Sequence, residues 1–208
     1  VLNDALVIYD WLHLHHEDFT GQYGKFYRAF KSAAWYIEAK QAAEILANEL
    51  GYKKVSESKR DVALKIKDYV IGGGFMFAMC SATDSFDIAL AAQNIDICEA
   101  MFDGDPSTPS YQNKLDFSEA FAFKNFILER NPNVYEFSSI DMTSKRNVPK
   151  QSDYFALIDF SAKWDPVPSM LTQNHTALIK GFMGQTTSFN REEVKSNVII
   201  LGEGKVNA

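Results

Sequence analysis

Apolar positions along the chain change their spacing several times, and each change marks an element. Between residues 33 and 50, Trp35, Ala39, Ala42, Leu46 and Leu50 recur at helical spacing and Gly51 follows as a C-terminal cap, so the pattern predicts a helix with that stripe inward. Ser58-Lys-Arg-Asp61 resembles a capping box and predicts the start of a second helix, whose stripe is Val62, Ile66, Tyr69 and Val70 and whose end is Gly72 to Gly74. The run Phe75 to Met79 has no polar alternation, which suits a central strand covered on both faces of a parallel sheet. Asp84-Ser-Phe-Asp87 then reads as a helix start. The expected order is helix, buried parallel strand, sharp turn, helix, with Cys80 on the turn.

Residues 7 to 16 predict another strand of the same sheet, with Leu12 and Leu14 on one face and Trp11, His13 and His15 on the other. Glu17 to Gly21 leave the sheet as a loop. Residues 21 to 31 are aromatic and basic with two glycines, a composition that fits either a mobile lid or a surface loop packed by its own rings. Ile95 to Cys98 predicts a short strand, and Asp103 to Pro109 a solvated, turn-rich loop. From Leu115 to Met142 phenylalanines and tyrosines surround an Asn131-Pro-Asn133 turn, which predicts a β-hairpin or an aromatic-rich β insertion spanning roughly residues 115–165. Thr143 to Lys150 reads as an exposed linker. Tyr154 to Phe160 alternates weakly, and Ala177 to Phe182 and Asn197 to Leu201 read as two strands joined by a turn.

The 208 residues suffice for one domain with a proper core, and 46% hydrophobic against 23% charged is a globular balance. A net charge of −6 without a Lys/Arg cluster argues against a nucleic-acid partner. No apolar run approaches the roughly 18 residues of a membrane span. Two cysteines make no disulfide framework and leave the redox compartment open. The chain starts at Val1 without an initiator methionine, so its ends are not expected to be those of the gene.

Cys80 carries the chemistry. At the carboxyl end of a central strand it occupies the place where open α/β sheets bind ligands. Ala78 and Ala82 supply the small flanking residues that a strand-to-helix elbow needs, where glycine is usual. A thiol there can face the helix N-terminus, whose N–H groups favour a thiolate and an oxyanion. The competing reading is a buried structural cysteine. Three of the four histidines, His13, His15 and His16, lie together at or just past a strand end beside Glu17 and Asp18. Their spacing matches no standard zinc signature, so no metal is expected, and polar contacts near Cys80 outrank a metal site. The plainer alternative packs His13 and His15 under a helix and leaves His16, Glu17 and Asp18 solvated. His175, the remaining histidine, is a candidate base for Cys80. Gly72 to Gly74 precede a strand instead of joining strand to helix, so phosphate binding has no geometric basis and no cofactor is expected.

Three blocks resemble a group of bacterial proteins usually labelled asparagine synthetase B: Trp11 to Phe26, Gly73 to Asp84, and Met170 to Thr176 running into Lys180 to Thr187. The chain lacks the N-terminal cysteine and pyrophosphate loop of true asparagine synthetases. The resemblance instead implies a flavodoxin-like, class I glutamine amidotransferase-like α/β fold with helices on both faces of a mostly parallel sheet. It carries over Cys80 as the nucleophile. The reading of the residues adds an amide or acyl substrate, backbone N–H groups of Cys80 or Ser81 as oxyanion donors, and His15, His16 and Glu17 as polar groups on the same edge of the sheet. The family continues past the position of Ala208 into a Gly-Gly-His-Asp-Pro-Glu loop that is the better place for a catalytic base, and it begins before Val1 with a strand pair. An exported, periplasmic or envelope location is implied. The alternative role, a non-catalytic binding or scaffold subunit of an envelope assembly, rests instead on the alanines at the elbow, the aromatic stretch Leu115 to Phe137 and the lack of a visible triad in the sequence.

Overall fold

The computed structural model describes residues 4–143, 154–157, 178–180, 186 and 188–204. Asp4–Ile8 forms a short 3-10 turn and leads into β1 (Trp11–Leu14). The chain continues through a one-turn helix α1 (Tyr27–Phe30), α2 (Ala34–Glu49), α3 (Val55–Ile71), β2 (Phe75–Ala78), α4 (Ser81–Ala91) and a one-turn helix α5 (Ala100–Asp103). The strands β3 (Tyr154–Leu157), β4 (Leu178–Lys180) and β5 (Gly202–Gly204) follow. β1 and β2 form a parallel pair with Leu14 opposite Ala78. The later strands form a separate antiparallel sheet in the order β4-β3-β5. The fold is therefore mixed α/β, and the described residues do not form a flavodoxin-like sheet.

The two sheets depart from expectation in definite ways. β2 is not a central strand, since its one described neighbour is β1, and its residues alternate between exposed and half-buried. Leu14 is buried and Leu12, Met76 and Ala78 pack inward against α3 and α4, while Trp11, His13, Phe75 and Phe77 stay on the open face. The predicted two-faced division of β1 thus holds, but the alternative that packed His13 and His15 under a helix does not. The His13 ring meets Trp11 and Phe77 instead, at centroid distances of 6.1 and 5.3 Å, and the His15 ring meets His13 and His16. Asp18, expected in solvent, is buried and accepts hydrogen bonds from the Thr20 N–H and hydroxyl. The late strands also differ: β4 and β5 flank β3 and do not pair with each other, and residues 197–201 lie ahead of β5 and outside it. Ile95 to Cys98 is irregular and not a strand.

The helices follow their patterns with shifted faces. α2 ends as predicted, with Gly51 at φ +85° and the Tyr52 N–H on the Ala47 carbonyl, the closure of a glycine-capped helix. Its buried residues are Tyr36 and Ala47, one position round from the predicted stripe, and Trp35, Leu46 and Leu50 are exposed. α3 starts at Val55, three residues ahead of the expected box, and buries Ala63, Ile66 and Tyr69. Its glycine stop holds: Gly72 caps the helix, and a Cβ at Gly74 would stand 2.3 Å from the Tyr69 ring, so the chain turns back against that ring only because Gly74 has no side chain.

α4 begins at Ser81, directly after Cys80 and ahead of the expected Asp84 start, and is buried nearly all round. Ala82, Phe86, Ala89 and Leu90 face the cluster under the β1–β2 sheet and α3. Ile88, Ala91 and Ala92 face a second cluster built from Phe123, Phe126, Phe137 and Ile140 of the aromatic stretch. That stretch is hairpin-like, with Glu129 N–H on Phe137 O, Ser139 N–H on Ile127 O, and a turn closed by Val134 N–H on Asn131 O. Asp87 joins the two clusters. Its carboxylate accepts from the N–H groups of Phe121, Ala122 and Phe123 at 2.7, 2.7 and 2.8 Å. Burial pushes the acid upward and those three N–H groups pull it back. Asp87→Ala orphans three N–H groups at once, and we expect it to cost at least about 3 kcal/mol in urea unfolding, with Asp87→Asn losing less.

Candidate active site

The passage from β2 to α4 occupies Met79 and Cys80 alone. The Met79 N–H still donates to Leu14 O at 3.0 Å, so pairing with β1 persists to the last residue before the turn. By Ala82 and Thr83 the N–H groups already close helical-type turns on Met79 O and Cys80 O. Reversing the chain in so short a span forces Cys80 to φ +53° and ψ −137°. That conformation lies outside the ordinary left-handed well and is normally left to glycine. A cysteine held there raises its side chain off the sheet at the start of a helix of 11 residues. Cys80 is half-buried, so solvent reaches it. The predicted elbow is present, alanine neighbours included: Ala82 is fully buried where a larger side chain has no room.

Ser81 is buried with its N–H in the first turn of α4, and among the described residues that N–H has no acceptor. His15 and His16 follow the end of β1, so they share with Cys80 the edge formed by the carboxyl ends of the strands. Both are exposed, with ring centroids 4.0 Å apart. The Glu17 carboxylate accepts the His15 backbone N–H, and the Glu17 carbonyl accepts from Ser85 Oγ of α4 at 3.0 Å. The strand end is thereby fastened to the helix that follows the cysteine. His175 lies outside the described residues. Residues 18–22 and Lys25 are buried, so the stretch read as a lid is a packed loop in its first half, and Lys25 Nζ donates to Glu129 O at 2.8 Å.

Three further residues come to the site from distant parts of the chain. Burial raises the Tyr135 phenol, and the charges of Cys80, Asp141 and Glu136 raise it further. Asp141 and Thr186 are buried near the first turn of α4, where Asp84 is fully buried. Thr186 bridges the two acids, its N–H donating to Asp141 at 2.9 Å and its hydroxyl to Asp84 at 3.5 Å. Sequence patterns missed this trio because its members lie 55 or more positions past Cys80, in irregular stretches with no periodicity.

The other cysteine is a different case. Cys98 is 1% exposed, directs its thiol at Gly21 O, and is pushed upward by burial and then by Asp103, Asp96 and Asp18, so it stays a neutral thiol. Among the described residues the acidic or imidazole groups converging closely enough for a metal are Asp96, Asp103 and Asp105, not the histidines. Lys54 Nζ already sits among those three carboxylates, 2.6 Å from Asp96, 3.6 Å from Asp103 and 2.6 Å from Asp105. The turn-rich loop that starts at Asp103 is thus closed by the protein's own ammonium.

No family model, no curated protein and no solved structure matches this chain. The turn itself offers a direct test. If Cys80 is strained, Cys80→Gly should be more stable than Cys80→Ala by about 1 kcal/mol in urea unfolding, the reverse of the order at an ordinary position. Equal stabilities, or alanine ahead, would show the turn to be relaxed.

Proposed function

We propose that the chain is a cysteine-dependent acyl-transfer domain of the class I glutamine amidotransferase-like, flavodoxin-related type, acting on an amide or a related acyl group. The observation that carries this reading is the positive φ of Cys80 at a two-residue passage from parallel strand to buried helix. Backbone strain of about 1–3 kcal/mol is tolerated where it positions a reacting group. In the reaction, the thiolate sulfur attacks the carbonyl carbon and the carbonyl electrons move onto oxygen. The Ser81 N–H receives that oxyanion. Collapse forms a thioester and expels the amine, which takes its proton from a protonated base. Water or a second amine then attacks the thioester and returns the thiol. His15 and His16 are candidates for the base by their place on the Cys80 edge, and His175 is a third candidate by sequence alone. Glu17 orients this strand end through its hydrogen bond from the His15 N–H.

A second reading has its own support. Trp11, Phe75 and Phe77 lie exposed on one face of β1 and β2, beside His13. A parallel pair bare on one side suits a module that docks against another protein, such as a subunit of an envelope assembly. For neither reading is a nucleic acid a partner, and no helix among the described residues is long and apolar enough to cross a membrane.

Cysteine alkylation separates the two. With iodoacetamide at neutral pH the native protein should label at Cys80 and leave Cys98 unmodified until unfolded. Amide hydrolysis over a panel including glutamine should fall at least about a hundredfold in Cys80→Ser and stay near wild type in Cys98→Ser. Labelling confined to Cys98 ends the nucleophile reading. Retention of function after Cys80→Ala, with isolation in a stable complex, would favour docking.

A further inference from the structure

The first turn of α4 contains an arrangement that its role as a helix start does not require. Asp84 is 0% exposed and Asp141 is 2% exposed. Asp84 Oδ1 accepts from the Ser85 N–H at 3.0 Å and from Thr186 Oγ1 at 3.5 Å, while Oδ2 is buried with no hydrogen-bond partner. Asp141 accepts from the N–H groups of Thr143 at 2.8 Å and Thr186 at 2.9 Å. Among the described residues no lysine or arginine forms an ion pair with either acid. Burial and the neighbouring charge of Asp141 both favour the neutral form of the Asp84 acid. Thr186, also buried and at φ +53°, is held between them.

We infer that Asp84 is a positioning residue for Cys80: together with Asp141 it clasps Thr186 beneath the helical turn that begins at the thiol. The inference rests on the nucleophile reading above. Asp84 lies four positions past Cys80, in the first turn of the helix that Cys80 precedes, so whatever holds Asp84 also holds the end of the elbow. Among the described residues, the titratable groups around the clasp are Asp141, whose charge acts on Asp84, and Tyr135, which feels both Asp141 and Cys80. Glu17 meets the same turn through its carbonyl, which accepts from Ser85. Burial and then Asp141 push the Asp84 acid up to about 8. The sign follows: the folded protein keeps a proton that the unfolded chain gives up near the ordinary carboxylate range. Stability from the clasp is complete at low pH and declines as pH rises from that range to the folded value.

Asp84→Asn reproduces the neutral acid in shape and keeps an oxygen to accept from the Ser85 N–H and the Thr186 hydroxyl. Relative to this variant, the folding equilibrium constant of wild type should fall at least about tenfold between about pH 5 and about pH 8. In a Cys98→Ser background, the ratio of Cys80 alkylation rates, wild type over Asp84→Asn, should be near one at low pH. Above the titration it should shift by about threefold or more, and Asp84→Ala should alkylate abnormally throughout. Should Asp84→Asn fail to fold, the carbon-13 titration of the Asp84 carboxyl in wild type decides the matter: a midpoint in the ordinary carboxylate range overturns the clasp. Superimposable stability profiles overturn it as well. An inert Cys80 in wild type removes the nucleophile reading instead, a result readable apart from the carboxyl titration.

Discussion

The distance between the end of β2 and the start of α4 is the constraint on which the rest of this structure turns. Two residues are too few for a relaxed loop, so a non-glycine backbone is driven to positive φ at Cys80. Such a conformation survives only where its surroundings over-determine it. Here β1 holds Met79 from the strand side, and on the helix side α4 is enclosed by apolar side chains from two directions. The same enclosure explains why α4 carries acids in its interior. Polar backbone from the aromatic stretch has to end somewhere, and Asp87 gathers three of its N–H groups.

Element types were legible in the sequence more readily than their surroundings. Helical spacing located α2 and α3 because period alone identifies a helix, and glycines located their ends. Period does not choose a face when apolar residues occupy more than one. α2 carries Ile37, Ile45, Leu46 and Leu50 outside and Tyr36 and Ala47 inside, so a stripe drawn through Leu46 lands one residue off. The run Phe75 to Met79 was read as covered on both faces because uninterrupted apolarity usually means that, yet Phe75 and Phe77 are exposed. Asp84 and Asp87 read as helix-start residues because Asp is common there. Their actual role, as buried acceptors within the helix, depends on partners at Phe121 to Phe123 and Thr186 that no local window contains.

At the candidate site, the legible part was local and the hidden part was long-range. Cys80 was recoverable from small residues two positions either side and from the strand and helix patterns flanking it. His15, His16 and Glu17 were recoverable as an edge cluster once their strand was recognised. Tyr135, Asp141 and Thr186 were not, since the stretches bearing them are irregular and give no period to read. Asp18 shows the same limit: a charged residue after a strand suggests solvent, whereas the folded loop turns its carboxylate onto the Thr20 N–H and hydroxyl.

Lys54 has a consequence of its own. Its ammonium stands immediately ahead of α3 and gathers Asp96, Asp103 and Asp105. Burial alone favours the neutral amine, but the hydrogen bonds to Asp105 and Asp96 and the surrounding negative charge outweigh it and keep the lysine protonated. The loop after α5 is therefore tethered by an internal counter-ion, whose supply does not vary with the mineral content of the medium. Neutralising that single nitrogen, as acylation does, would set three like charges against one another and free the loop at a stroke.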